Sequence, residues 1–206
     1  MYIFGSLSKS TIQECRSIGM SSDEIEKYSQ YVTRLLNKEK MGGRNGRRDS
    51  DQSKVYQSEW AMQRQVNIRQ FKTVEAAEKR MNQIQNSKLW EKLAGKKVYL
   101  VSNTRMGRAT AGRAHYGGKI ELGTTGMNEY TLIHEMAHQL PNCMHHSVQF
   151  RINLVKLVSR FMGTDVAKIL KAEFKERKLK MSVPAPRSPE SWFKSYTHMK
   201  NVRAKL

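Results

Sequence analysis

The chain has 206 residues, of which 38% are hydrophobic, with 37 Lys+Arg against 18 Asp+Glu and a net charge of +19. That length suits one domain with extensions around a modest core; no apolar run is long enough to span a membrane and none resembles a secretory leader. Two distant cysteines, Cys15 and Cys143, make no disulfide framework, so free thiols in a bacterial or phage-infected cytoplasm are expected.

Residues 8–20 and 21–41 read as two helices, an N-terminal helical extension over 1–41. Ser21 and Glu24 form a capping-box pattern, and Ile25, Tyr28, Tyr31, Val32, Leu35 and Leu36 keep helical spacing. MGGRNGRRDSDQS has no apolar residue after Met41 and marks 42–53 as a flexible linker. Its Arg44, Arg47 and Arg48 read as solvated, with phosphate contact as the alternative. KVYQSEWAM reads as a strand. Thr73 opens one helix through TVEAAEKRMNQIQNSKLWEKLAG, with Val74, Ala77, Met81, Ile84 and Leu89 on a stripe and Gly95 at its end. KKVYLVSN is a short strand, and ATAGRAHYGGKIEL a hairpin turning at Gly117-Gly118. Asn128 caps a helix through NEYTLIHEMAHQL that stops at Pro141. SVQFRINLVKLVSRFMG and DVAKILKAEFKERK are two more helices, and Pro184, Pro186 and Pro189 introduce a basic tail, 181–206. This order predicts an α+β domain over 54–180, with a small, mostly antiparallel sheet beside a helical layer.

The chemistry sits in His134-Glu135-Met136-Ala137-His138. On a helix, i and i+4 share a face, so His134 and His138 can direct ring nitrogens at one Zn²⁺. Glu135 turns aside from the metal's inner shell and can take a proton from a metal-activated water, then return it to a leaving amine. Tyr130, Leu132, Ile133, Met136, Ala137 and Leu140 make this helix apolar all round, so the motif is expected to be buried, where its polar groups require partners or a metal. The candidates for a third ligand are His145, His146, Cys143 and, farther on, Asp165 or Glu173. A third His at 144 with Gly at 141 would define a metzincin, but Met144 and Pro141 stand there. His146 is favoured because Ser147 can cap the next helix and fix the ring ahead of it, and Cys143 reads as a loop thiol.

GRATAGRAHYGGKIEL, TLIHEMAHQL and HSVQF together resemble the SprT-like zinc metallopeptidases, the group that includes the Spartan proteases. His134, Glu135, His138 and His146 match that family's metal and catalytic positions, and Phe150 its aromatic, while Ser147 replaces the usual Gly. From about Lys54 to Lys180 the chain is also similar to a family of metallohydrolases found in actinobacteria and their phages. These resemblances imply a zincin-like fold and a hydrolytic zinc, and the leading reading is hydrolysis of a protein or peptide substrate. SprT-like relatives act on proteins near DNA, which the basic charge suits. Tyr116 or His115 is the candidate oxyanion donor. The alternative is a binding protein on a zincin scaffold, contacting nucleic acid through its basic surface. Trp192, Phe193 and Tyr196, interleaved with Lys194, Lys200 and Arg203, would serve that reading by stacking; otherwise they dock a C-terminal helix. A hydrolase acting on a bond other than a peptide is the third reading.

Overall fold

Ser8 and Ser21 start the first two helices by taking up backbone N–H groups that no helical carbonyl can reach. The Ser8 hydroxyl accepts from Thr11 N at the head of α1 (Lys9–Ser17), and Ser21 and Glu24 exchange reciprocal bonds at the head of α2 (Ser22–Met41). The computed structural model describes residues 7–41, 49, 51–102, 105–107, 110–115, 117–141, 143, 145–182 and 187–203, with backbone alone at 36–41, 200, 202 and 203. It divides into two units, Met1–Lys38 with Pro184–Leu206, and Glu39–Val183.

In the first unit Cys15, Met20, Ile25, Tyr28 and Val32 are buried together. The basic tail contributes its own helix, named α9 below (Pro189–Arg203), whose Trp192 and Phe193 pack on that cluster. Trp192 stacks on Tyr196 at 4.9 Å, and the Tyr28 hydroxyl donates to the Arg187 carbonyl. The tail aromatics therefore serve packing here.

The second unit is α+β. It runs α3 (Gln52–Gln63), α4 (Val74–Gln85), α5 (Lys88–Lys92), β1 (Tyr99–Ser102), β2 (Gly112–Ala114), β3 (Lys119–Leu122), a 3₁₀ turn (Thr124–Gly126), α6 (Glu129–Ala137), α7 (Val148–Phe161) and α8 (Thr164–Glu176). Three expectations need correction. KVYQSEWAM is the helix α3, because its buried residues Val55, Ser58, Glu59 and Met62 recur at three and four, and Gln, Glu, Ala and Met favour helix. The helix from Thr73 breaks at Asn86, where the Ser87 hydroxyl accepts from Trp90 N and starts α5. The sheet is mixed rather than mostly antiparallel: its order is β1-β3-β2, with β1 parallel and β2 antiparallel to β3. Strand pattern carries no direction, and β3, with Ile120 and Leu122 buried, takes the centre. The hairpin turns where both glycines hold positive φ (102° and 94°). Arg44, Arg47, Arg48 and Tyr116 lie outside the described residues.

Every residue of α6 is buried. Leu132, Ile133, Met136 and Ala137 share one core with Phe150, Leu154, Leu157 and Val158 of α7 and with Ile120 and Leu122 of β3. Each large side chain so buried contributes about 1.5–3 kcal/mol, which holds α6 against displacement. Arg80 of α4 fastens its start by pairing with Glu129 and donating to the Phe161 carbonyl. No helix among the described residues is long and apolar enough to cross a membrane.

Candidate metal centre

Asn128 caps α6 by accepting from Thr131 N at 2.9 Å, which sets the phase in which His134 and His138 emerge on one face. Ser147 caps α7 in the same way, accepting from Phe150 N, and holds His146 just ahead of that helix. The three imidazoles meet. His134 Nε2 lies 3.3 Å from His138 Nε2 and 3.3 Å from His146 Nε2. Phe150 packs against all three rings at 4.3–5.1 Å, and Tyr56 meets His146 edge-on at 4.9 Å.

The far side of each ring decides what the near side offers. His138 Nδ1 is 2.8 Å from the Cys143 carbonyl, which only accepts, so Nδ1 carries the proton. His146 Nδ1 is 2.8 Å from Asp49 Oδ2, which also accepts from the His146 backbone N–H. Burial raises the Asp49 carboxyl, but the hydrogen bonds it accepts from the His146 ring and backbone outweigh burial and hold it at about 2, ionised and accepting. His134 Nδ1 is 2.8 Å from Glu59 Oε1. Nδ1 is protonated on His138 and His146, and on His134 once Glu59 is ionised; the three Nε2 lone pairs then converge, as ligands to one cation must. Burial, then the neighbouring imidazoles, holds His134 and His138 well below the ordinary histidine range, hence neutral.

The spacing fits a small tetrahedral ion. Donors at about 2.05 Å around such an ion stand about 3.3 Å apart, the separation of His134 Nε2 from each of the other two Nε2 atoms. Charge fits as well. Burial raises Glu59 to about 8, and burial together with Glu59 raises Glu135 to about 8. Among the described residues neither carboxyl has an ion pair with Lys or Arg. A cation on the three nitrogens would favour both carboxylates. His134, His138 and His146 thus lie close enough together to hold a metal ion.

Glu135 is buried against β2, where the Ala114 N–H bonds its carboxyl. The approach requires a glycine: a Cβ at Gly112 would stand 2.8 Å from Glu135 Cγ and Oε1. His145 is exposed and outside the cluster. The Cys143 thiol bonds the Pro141 carbonyl and Asn153, and burial pushes it to about 11; only its backbone serves the site. His115, a candidate oxyanion donor, instead sets its Nε2 2.9 Å from Glu121 Oε2 within the hairpin. Asp165 and Glu173 pair with Lys168 and Arg177.

Sequence reasoning missed Asp49, Glu59, Arg151 and Gly112. Arg151, wholly buried, donates to the His146 carbonyl at 2.7 Å, to Asp51 and to the Lys180 carbonyl. Glu59 left a signal, an acid on the apolar stripe of a helix, whereas Asp49 in its polar loop left none. Family models, curated proteins and solved structures yield no match to this chain.

Proposed function

We propose that the protein is a zinc-dependent hydrolase, specifically a peptidase, with His134, His138 and His146 as ligands and Glu135 as general base and acid. One observation carries the reading: three imidazoles gather at one point, His134 Nε2 standing 3.3 Å from the Nε2 of His138 and of His146, with the Cys143 carbonyl and Asp49 accepting from Nδ1 of the latter two and Glu59 set to do so for His134 once ionised. The His-Glu-x-x-His order and the resemblance to SprT-like metallopeptidases favour zinc over the other ions that imidazole binds. The donor set suits it, since three protein ligands leave a fourth position for chemistry.

Zinc, when bound, would lower the pKa of a water to about 7 and polarise the carbonyl under attack. The chain's own residues do the rest. Glu59, Asp49 and the Cys143 carbonyl keep the imidazoles in the ligating tautomer. Glu135 takes the proton of the attacking water as its oxygen bonds the carbonyl carbon, and delivers a proton to the amine as the C–N bond breaks. Ala114 N–H and Gly112 hold that carboxyl in place. β2 is the outer strand of its sheet, so an extended substrate backbone laid along it would pass Glu135, which supports a peptide over a compact substrate.

The test is zinc content by elemental analysis of the wild type, His146→Ala and His145→Ala. About one zinc per chain, lost with His146 and kept with His145, is expected, followed by peptidase activity that Glu135→Gln abolishes. A wild type without zinc after reconstitution would overturn the reading in favour of a basic binding protein. One zinc with hydrolysis of a non-peptide bond alone would retain the metal and reject the peptidase.

A further inference from the structure

Part of the positive charge is gathered where the three-histidine site does not use it. Lys168, Lys171 and Lys175 recur at three and four along α8 and share a face. Lys178 and Lys180 follow at the helix end, and the five line a groove of about 610 Å³ floored by Ala172, Leu179 and Met181. All five lysines are exposed, and no acidic side chain lines the groove. Lys168 pairs with the exposed Asp165; among the described residues the other four form no ion pair. Glu173, on the same helix, is taken by Gln65 and Arg177.

The lysines beyond the helix stand on an ordered backbone. Leu179 N donates to the Phe174 carbonyl and Lys178 N to the Lys175 carbonyl, a C-terminal cap whose left-handed residue is usually glycine. Lys178 occupies it with φ 56°, so a charged side chain is held where the backbone disfavours one. Arg151 then grips the Lys180 carbonyl at 3.1 Å. Like charges gathered without partners repel one another, and an external polyanion would relieve them.

The lining selects the kind of polyanion. It has no aromatic side chain on which a base could stack. It also lacks an exposed large apolar residue to enter a bilayer, since Leu179 is buried, Met181 is half-buried against the core and Ala172 is small. The lysines of α8 span roughly 10 Å at 1.5 Å per residue. Over that length a duplex presents a phosphate charge about every 1.7 Å. We infer that the α8 face binds the phosphate backbone of double-stranded nucleic acid without reading its sequence. The inference is independent of any metal at the histidines.

The test is fluorescence anisotropy with a labelled duplex DNA on the full chain, at several salt concentrations between about 50 and 200 mM, where phosphate contacts lose affinity steeply. Lys171→Gln/Lys175→Gln/Lys178→Gly should weaken binding at least ~10-fold at low salt and reduce the slope of log K against log salt by about 2–3. Lys178→Gly alone should reduce the slope by about 1 with melting temperature unchanged or raised, which separates lost contact from lost fold. The control is Lys79→Gln/Lys88→Gln/Lys92→Gln, the same charge removed from exposed sites elsewhere in the unit, and should bind nearly as the wild type. Equal weakening by both triple variants would overturn the site in favour of the diffuse field. Absence of duplex binding, or lysine-dependent binding confined to phosphatidylserine vesicles, would overturn it as well.

Discussion

The histidine centre and the α8 face are both rich in ionisable groups and handle them in opposite ways. In the centre each imidazole of the cluster has an oxygen against its outer nitrogen, and the loop carrying His146 is gripped by a wholly buried arginine. Around the α8 groove, four of five lysines form no ion pair among the described residues and stand in solvent. Burial makes the difference: an unpaired buried charge costs several kcal/mol, whereas an exposed lysine costs almost nothing until a partner arrives. Partnered groups mark a site arranged in advance, and unpartnered ones a surface that something else completes.

The contrast can be broken most sharply at Glu135. Glu135→Gln keeps the shape and removes the base, and about 10²–10⁴-fold of hydrolysis should go while zinc content stays at one per chain. A second variant sharpens the partner argument. Asp49→Asn should weaken zinc about 10–100-fold in a competition titration, because the amide holds the His146 ring less firmly. Undiminished affinity would show the carboxylate to be incidental.

Gly112→Ala comes next. The new methyl collides with Glu135, so activity should fall with zinc retained, the signature of a displaced base and not of a lost ligand. Arg151→Met leaves the His146 carbonyl without its donor, and thermal unfolding should register a loss of about 2 kcal/mol. The smallest effect belongs to the other region. Lys175→Gln should change stability by less than about 0.5 kcal/mol, since nothing folded depends on that charge.

Much of this was legible in residue order because the governing interactions are local. Asn128 and Ser147 announce their helices as caps, and the four-residue step from His134 to His138 carries its own geometry on any helix. The hairpin glycines are legible for the same reason. The strand reading of α3 failed where a nine-residue window held Val55 and Tyr56 beside residues of either habit; the packing of Val55, Glu59 and Met62 resolved it.

Sequence by itself determined the two-histidine motif, its glutamate, the buried helix that bears them and the surplus of positive charge, since periodicity, capping and composition act within a few residues. Only the tertiary structure decided that Asp49 and Glu59, 97 and 75 residues away from their histidines, orient the rings. It also decided that β1 runs parallel to β3 and that the lysines of α8 meet those beyond its end around one groove. Such pairings depend on which surfaces the folded chain brings within 3 Å, and separation along the chain carries no record of that.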